Sequence, residues 1–295
     1  MIARCGRAVR WRSAALLVVL ALLGAPVPAA AWGLASHRWI ATEAADLITA
    51  SCPQLGRASR TALGDAAVAP DTVLKRRDGR REGVRHFLNL DHYGPPPFRA
   101  LPRDRHAAEE RFGRRTIERE GVLPWHGATV ARRLRDELAR GDVASAVVTA
   151  GHLAHYASDA TMPLHATVNH DGERTGQSGL HRRIEARLVD GDLGEYTRRT
   201  WKVDRRRPIA PAGAAGALFA ALEQAYDRLP AVLAADRNAR RDTKVGSRLY
   251  YRRLHADLAD VLAGQLGAAV VLTAALWEGA CAPPPPAGRR PDRRP

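Results

Sequence analysis

The sequence predicts an all-α protein, built as a single domain of many helices. Apolar residues recur at steps of three and four along most of the chain, which is the period of an amphipathic helix. No segment of alternating apolar and polar residues is long enough to build a sheet, and no glycine-rich phosphate-binding loop occurs. The length of 295 residues fits one folded domain of ordinary size, or at most two.

The helical segments follow one another along the chain, and the clearest covers residues 143–157. Its apolar face consists of Val143, Ala146, Val147, Ala150, Leu153, Ala154 and Ala157. Similar patterns predict helices over about 37–50, 104–120, 127–140, 179–190, 213–236 and 244–279, the last with a candidate break near Gly264 to Gly267. Two segments, 68–103 with its prolines and glycines and the glycine-rich 167–179, are predicted to be long loops. Long loops in a compact helical domain are usually functional or disordered.

Both ends of the chain differ in composition from the middle. Residues 1–31 combine a basic start, an apolar stretch at 14–23 and a run of alanines, which is typical of a secretory signal peptide and too short to span a membrane. We expect cleavage after Ala31, so that the mature protein begins at Trp32 and is secreted or periplasmic. Residues 282–295, rich in Pro and Arg, are predicted to be a disordered tail. The folded domain is then 32–281.

The chain is strongly basic, with 46 Lys and Arg against 31 Asp and Glu and a net charge of +15. Such an excess suits an anionic partner such as a nucleic acid or a membrane surface. Only three of the 46 basic residues are lysines, so the coding bias of a GC-rich genome explains the excess equally well. Seven of the fifteen net charges also lie in 1–31 and 282–295. The charge therefore supports anionic substrates only in general.

Two cysteines, Cys52 and Cys281, remain after removal of the signal peptide. In an oxidising compartment they can form one disulfide between the end of the first helix and the end of the last. Two buried free thiols fit the sequence equally well. Neither cysteine has C-x-x-C spacing, which argues against a redox site or a thiolate zinc site.

The histidines are concentrated in one part of the chain, since ten of the eleven lie between His37 and His181. His155 and Asp159 are four residues apart and project from one helix face, and His181 and Glu185 repeat this spacing. His165 lies between the two pairs. One such pair is more often a surface hydrogen bond, but two pairs around a further histidine indicate a metal site. A nitrogen and oxygen donor set without thiolate suits zinc in a hydrolytic site.

The segment from His155 to Glu185 resembles the metal-binding half of the zinc-dependent phospholipases C and the single-strand-specific zinc nucleases, which share one helical fold and a three-zinc site. The segments WGLASHRWI, APDTV and VRHFLNLDHY extend the resemblance, and the whole pattern is W-x4-H, D-x14-H, H-x3-D-x5-H-x15-H-x3-E. The resemblance implies that one zinc is held by Asp71, His86, His155 and Asp159, a second by His165, His181 and Glu185, and a third by Trp32, His37 and Asp159. Asp159 would bridge two ions, and Trp32 would bind through its free α-amino group and its carbonyl.

The same resemblance implies a secreted phosphodiesterase in which a zinc-activated hydroxide attacks a phosphate ester. Asp71 is the candidate for orienting the nucleophile or acting as general base, although the zinc hydroxide is sufficient in the alternative mechanism. Phe87 is a candidate for lining the substrate groove, and a core position fits it equally well. Asp91 is a candidate for orienting a ligand histidine.

Among the remaining histidines, His152 is expected to pack within its helix. His106, His126, His170 and His255 are expected on the surface or at helix caps.

Two substrate classes fit the resemblance. Glu185 as the last ligand and the short interval from His165 to His181 favour a phospholipase C-like enzyme acting on a phospholipid or another phosphodiester. The intervals W-x4-H and D-x14-H favour the alternative, a single-strand-specific nuclease. A zinc-binding protein without catalysis and a basic nucleic-acid-binding module are further hypotheses. No stable protein partner is expected.

Overall fold

The computed structural model describes residues 32–199, 204 and 206–282. Every regular element in these ranges is helical and they contain no strand, which confirms the all-α prediction. The helices are α1 (Leu34–Leu47), α2 (Pro53–Gly56), α3 (Arg60–Val68), α4 (Lys75–Asp78), α5 (Arg80–Gly83), α6 (Arg105–Phe112), α7 (Arg114–Glu120), α8 (Leu123–Ala139), α9 (Val143–Asp159), α10 (Leu180–Arg182), α11 (Leu193–Thr197), α12 (Ala214–Tyr226), α13 (Leu229–Ala239) and α14 (Arg248–Cys281). The predicted signal peptide and nearly all of the predicted tail lie outside the described residues.

Short turns of other helical types connect these elements. Two π-helical turns cover Pro70–Leu74 and Arg183–Val189. Single 3₁₀ turns cover Leu90–Tyr93, Pro163–His165, Glu173–Thr175, Asp190–Asp192 and Pro211–Gly213.

Helix α9 is the central element, because it packs against α1, α3, α8 and α14. The carboxylate of Asp142 caps its start by accepting a hydrogen bond from the backbone N–H of Ser145 at 3.1 Å. A Cβ at Gly151 would lie only 2.3 Å from the Cβ of Ala66, so the glycine allows α9 and α3 to approach closely. This packing places the C-terminal end of α9, with His155 and Asp159, inside the domain.

Helix α14 covers 34 residues and runs without a break through Gly264 and Gly267, so the expected interruption there is wrong. It is long and apolar enough to cross a membrane, with a mean hydropathy of 1.7 over its most apolar 18 residues, but 78% of that window is buried inside the domain. The burial explains the apolar composition, and α14 is the core helix against which α1, α9 and α13 pack.

The loop predicted for 68–103 is only partly correct. Residues 70–83 form a π-helical turn followed by the single-turn helices α4 and α5, whereas 84–103 is irregular apart from one 3₁₀ turn. Pro70 is compatible with a helical turn because it stands at the first position, where its missing N–H is not needed. Gly79 separates α4 from α5 with a φ of +53°. These residues shorten the helices and do not abolish them.

Other predicted boundaries change in the same way. The helix expected over 104–120 is divided at Gly113, whose φ is +83°. The helix expected over 213–236 is divided between α12 and α13, and Pro230 lies in the first turn of the second helix. The predicted loop 167–179 is irregular apart from one 3₁₀ turn, as expected.

A disulfide joins Cys52, between α1 and α2, to Cys281 at the end of α14, with the two Cα atoms 5.7 Å apart. The sequence left this pairing open. It closes a loop of 229 residues, so that both ends of the domain are tied together.

Candidate metal centre

Eight of the nine residues predicted to bind metal have side chains that converge in one buried region of the domain. They come from distant elements: α1, the π-helical turn after α3, the loop after α5, the end of α9, the 3₁₀ turn after it, and α10 with its π-helical extension. The eight are His37, Asp71, His86, His155, Asp159, His165, His181 and Glu185. None of the eight side chains is more than 7% exposed.

A first group of possible metal ligands consists of His37, His155 and Asp159, whose ligand atoms lie within 4.8 Å of one another. His37 Nε2 lies 3.6 Å from Asp159 Oδ1, and the imidazole rings of His37 and His155 are stacked with centroids 4.0 Å apart. Helix geometry places His155 and Asp159 on one face of α9, and the packing of α1 on α9 adds His37.

A second group consists of Asp71, His86 and His155. His86 Nδ1 lies 3.6 Å from Asp71 Oδ1 and 3.0 Å from His155 Nε2. The same His86 nitrogen is 3.0 Å from Asp159 Oδ2, so the carboxylate of Asp159 contacts this group as well.

A third group consists of His165, His181 and Glu185. His181 Nε2 lies 3.0 Å from His165 Nε2 and 2.7 Å from Glu185 Oε1. His165 Nδ1 is 3.7 Å from Asp159 Oδ1, which connects this group to the other two. The two oxygens of Asp159 therefore face histidines from all three groups.

The donor set in these groups fits a metal cation. Within the described part of the chain, several buried nitrogens and oxygens of these residues have no hydrogen-bond partner; they are His37 Nε2, Asp71 Oδ2, Asp159 Oδ1, His165 Nδ1, His181 Nδ1 and Glu185 Oε2. A buried polar group without a partner costs about 1–3 kcal/mol, and a bound cation removes that cost. Imidazole and carboxylate donors without thiolate are the set that zinc accepts in hydrolytic sites.

Burial controls the protonation of the histidines. It lowers the pKa of His37 to about 3 and that of His181 to about 4, and it lowers the pKa of His165 well below its ordinary value. These rings are therefore neutral at physiological pH, as metal binding requires. For His86 burial also lowers the pKa, but hydrogen bonds to Asp159 and Glu82 outweigh it and raise the pKa to about 9. A cation at His86 would compete with that proton.

The carboxylates respond differently to the same burial. Burial raises the pKa of Glu185 well above its ordinary value, and the negative charges of Asp159 and Asp71 raise it further. Burial also acts to raise the pKa of Asp159, but the neighbouring His155 and His165 outweigh it and lower the pKa well below its ordinary value. Asp159 is thus the permanent negative charge at the centre of the three groups.

Neighbouring groups orient two of the histidines toward the cluster. His155 Nδ1 hydrogen-bonds to the backbone carbonyl of Ala67 at 2.8 Å, which leaves Nε2 toward the carboxylates. Ser158 Oγ donates to the carbonyl of His155 at 2.8 Å and lies 2.8 Å from His37 Nδ1, whose N–H it can therefore accept. Each contact favours the tautomer with its proton on Nδ1, so that the lone pair of Nε2 faces the cluster.

Trp32, the ninth predicted ligand, lies beside the cluster. Its ring is fully buried, and its indole N–H donates to the carbonyl of Ser158 at 2.9 Å. Because Ser158 precedes Asp159 and contacts His37, the start of the described chain lies next to the residues with which Trp32 is predicted to share an ion. Binding through its α-amino group stays a prediction.

Glu82 is a buried residue near the site that the sequence interpretation missed. Its Oε1 lies 3.5 Å from His86 Nε2, and its carboxylate accepts hydrogen bonds from Tyr156 at 2.5 Å and from Arg85 at 2.7 Å. Glu82, in α5, precedes His86 by four residues, which is also the spacing of His155–Asp159 and His181–Glu185. That spacing was the available signal for a carboxylate that orients a histidine.

Asp190 is a second missed residue, and it connects two of the ligand-bearing segments. It follows Glu185 by five residues and accepts hydrogen bonds from the backbone N–H groups of Ala35 at 2.9 Å and Ser36 at 3.0 Å. It therefore caps the helix that carries His37. A Cβ on Gly33 would lie 2.1 Å from this carboxylate, so a larger residue there would displace Asp190 from its contacts with Ala35 and Ser36.

The structure corrects the expected role of Asp91. It accepts hydrogen bonds from Thr167 Oγ1 at 2.6 Å and Val168 N at 2.9 Å, so it anchors the loop after His165 and orients no ligand histidine.

The expectations for the remaining histidines are partly wrong. His126 is mostly buried and packs edge-on against Tyr156, contrary to the expectation. His170 and His255 are at the surface as expected, with side chains 61% and 33% exposed, and His255 also hydrogen-bonds to Tyr196 at 2.9 Å. His106 is on the surface, as expected, with its side chain 82% exposed. His152 is largely buried in α9, and burial lowers its pKa to about 4, in agreement with a packing role.

The cluster opens onto a groove of about 520 Å³, which is lined by His86, His165 and His181. Lys75 lies in this groove and donates to Asp71 Oδ1 at 2.9 Å. Phe87 is half-buried and also lines the groove, where its ring can contact a bound molecule. We call this space the metal-site groove.

The arrangement combines a buried set of candidate metal ligands with an access route from solvent. A closed structural site requires no such route, whereas a catalytic site does. Comparison of the chain with models of protein families found no matching family, and no curated protein matches it.

Proposed function

We propose that this protein is a zinc-dependent phosphoric ester hydrolase that cleaves a phosphodiester in the metal-site groove. The observation that carries the proposal is the convergence of three groups of buried histidines and carboxylates on Asp159, next to a groove with cationic side chains. Multinuclear sites of this kind stabilise the attacking and leaving oxygens of a phosphate displacement.

Each of the three groups would hold one ion, with Trp32 completing the group that contains His37. When bound, zinc supplies Lewis acidity, which lowers the pKa of water and offsets negative charge on phosphoryl oxygens. The short distances between ligand atoms support this assignment, because nitrogens and oxygens that approach within 3.0–3.7 Å repel one another unless a proton or a cation lies between them.

The protein's own side chains would position the substrate and the nucleophile. Asp71 Oδ1 accepts from Lys75, whereas its Oδ2 has no hydrogen-bond partner and lies 3.9 Å from His37 Nε2 and 4.0 Å from His155 Nε2. This free oxygen can accept a proton from an attacking water molecule and hold that water in line with the phosphate ester bond that is cleaved. Lys75, 20% exposed, can neutralise one oxygen of the substrate phosphate.

The proposal covers both phospholipid and nucleic-acid substrates. The ligand set that ends in Glu185 and the short interval before His181 support a phospholipase C-like enzyme. The composition of the groove supports the second candidate, a single-strand-specific nuclease, because Lys75, Arg119 and Arg174 line it together with Phe87. Cationic side chains and an aromatic ring bind a polyanionic strand, whereas Phe87 with Glu120 and Glu173 in the same groove offers the aromatic and acidic partners that a choline head group needs.

We also propose that the protein is exported and matures by cleavage before Trp32. The disulfide between Cys52 and Cys281 supports this, because disulfides persist in oxidising compartments outside the cytosol. Mass determination of the N-terminus of the exported protein tests it. A terminus at Trp32 is expected, and a cytosolic protein that retains residues 1–31 would contradict it.

The experiment that tests the hydrolase proposal is a parallel assay of the zinc-loaded protein that begins at Trp32. Bound zinc is measured by mass spectrometry, and hydrolysis is followed on bis(p-nitrophenyl) phosphate, phosphatidylcholine vesicles and single-stranded DNA. We expect turnover that is lost with EDTA and restored by zinc. Full zinc occupancy without turnover on any of the three substrates would refute the proposal and leave a zinc-binding protein without catalysis. Nucleic-acid binding that survives chelation without any hydrolysis would favour a basic binding module.

A further inference from the structure

Next to the metal-site groove lies a second concave surface, which we call the arginine pocket. Its volume is about 760 Å³, and seven arginines line it together with one carboxylate, that of Glu118. The arginines come from two segments that are distant in the chain, 80–85 and 105–119. Gly79, just before the first segment, and Gly113, in the middle of the second, both have positive φ and interrupt the helices, so that short helices surround a hollow.

Four of the arginines in this pocket form ion pairs within the protein. Arg85 pairs with Glu82, Arg119 with Glu120, and Arg105 and Arg114 with glutamates of their own helices. The three others, Arg80, Arg81 and Arg115, are exposed and have no carboxylate within ion-pair distance among the described residues. Unpaired like charges around one hollow produce a positive potential that favours an anion.

The arginine pocket is adjacent to the metal-site groove. Arg119 lines both the pocket and the metal-site groove, and Arg85 in the pocket directly precedes the candidate ligand His86. An extended polyanion bound in the pocket can therefore reach the metal-site groove without leaving the surface.

We propose that the arginine pocket binds backbone phosphates of a single-stranded nucleic acid, and that a neighbouring phosphodiester of the same strand lies in the metal-site groove. The proposal rests on the hydrolase function proposed above, in its nuclease form. Guanidinium groups bind phosphate in a bidentate manner, and several of them in one hollow suit a chain with regularly repeated phosphates.

Two observations favour a single strand over other polyanions. The candidate ligand side chains are at most 7% exposed, so a phosphodiester must bend into a recess to reach them, which a flexible strand does more readily than a stiff duplex. Attachment to an anionic membrane also uses apolar side chains that insert between the lipids. The large apolar side chains found exposed among the described residues are Leu34, Val73, Val143, Val148, Val245 and Leu249, and the arginine pocket contains none of them.

The test measures binding separately from hydrolysis. The zinc-loaded protein is titrated into a fluorescent single-stranded oligothymidylate with phosphorothioate linkages, which resist cleavage, and anisotropy is recorded over a range of salt concentrations. The pocket variant is Arg80→Gln/Arg81→Gln/Arg115→Gln. The matched control is Arg132→Gln/Arg140→Gln/Arg228→Gln, which removes three exposed arginines that line neither the pocket nor the metal-site groove.

We expect the pocket variant to bind about tenfold more weakly at low salt. The slope of log affinity against log salt should decrease by about 2, since each phosphate contact on a single strand contributes about 0.7. The control variant should bind like the unmodified protein, and both variants should hydrolyse bis(p-nitrophenyl) phosphate at an unchanged rate.

Equal weakening in both variants would overturn the proposal, because the effect would then be one of net charge. A pocket variant that keeps its affinity for the oligonucleotide but loses binding to phosphatidylglycerol vesicles would also overturn it and identify a membrane-binding surface. Loss of oligonucleotide binding in the pocket variant, without turnover of any phosphodiester by the unmodified protein, would support the pocket and refute the hydrolase. Turnover with undiminished binding would refute the pocket alone.

Discussion

Replacement of Asp159 by asparagine tests the centre of the proposed metal site. Oδ1 of this carboxylate lies 3.6 Å from His37 Nε2 and 3.7 Å from His165 Nδ1, and Oδ2 lies 3.0 Å from His86 Nδ1 and 3.3 Å from His155 Nε2. Asparagine keeps the size of the side chain but removes the charge and one acceptor oxygen. If Asp159 bridges two ions, Asp159→Asn should lose both of them, whereas His37→Ala should lose one.

The expected magnitude follows from the burial of the site. Removal of one partner from a buried charged pair costs about 3–5 kcal/mol, which corresponds to about 10²–10⁴-fold in metal affinity at the affected positions. We therefore expect about one zinc ion per chain in Asp159→Asn and about two in His37→Ala, compared with about three in the unmodified protein. Phosphodiesterase activity should fall further in Asp159→Asn than in His37→Ala.

The assay combines zinc determination after gel filtration with hydrolysis of bis(p-nitrophenyl) phosphate. Circular dichroism of each variant shows whether the helical fold is retained, because a loss of zinc through unfolding would not address the bridge. Two folded variants with equal and mild losses of zinc and activity would refute the bridging role of Asp159.

Further predictions concern a supporting carboxylate, the disulfide, pH and the N-terminus. Glu82→Gln should lower zinc affinity about 10–100-fold with the helical content unchanged, as measured by competition with a chelator; an unaltered affinity would mean that Glu82 only packs. Cys52→Ser/Cys281→Ser should lose at most about 5 kcal/mol of stability in urea denaturation, given the 229-residue loop, and an unchanged midpoint would contradict the pairing. Burial lowers the pKa of His126 from 6.5 to about 3, so its contribution to stability is complete above pH 6.5 and is lost as the pH falls toward 3. Between pH 7 and pH 5 the unmodified protein should therefore lose about 1–2 kcal/mol more stability than His126→Gln, as measured by denaturation at each pH. Parallel stability profiles of the two proteins would disprove the contribution of His126. A protein that retains one residue before Trp32 should bind one zinc ion fewer, because an amide replaces the free amine, and full zinc content would exclude the amine as a ligand.

The sequence was sufficient to predict the helices and their apolar faces, because helical periodicity depends on residues within one or two turns. It predicted boundaries less well at 70–83, where Pro70 and Gly79 suggested a loop. A proline at the first position of a turn and a glycine between two short helices are both compatible with helical structure. Local composition does not distinguish these cases from a loop, because the outcome depends on what the segment packs against.

For the candidate ligands too, local spacing predicts some features and not others. The pairs His155–Asp159 and His181–Glu185 follow from a spacing of four residues, which puts both side chains on one helix face wherever the helix lies. The further pair Glu82–His86 has the same spacing but went unrecognised, because it lies in a segment predicted to be a loop.

The sequence by itself determined an all-helical chain, two candidate ligand pairs at helical spacing and a set of further candidate ligands. Tertiary structure decided that α1 and the turn after α3 bring His37 and Asp71 to the end of α9, and that Asp159 faces all three groups. It also decided the pairing of Cys52 with Cys281 and the assembly of the arginine pocket from two segments. The physical reason is distance along the chain: helix periodicity governs neighbours within a few residues, whereas side chains up to 229 residues apart meet only through the packing of the folded domain.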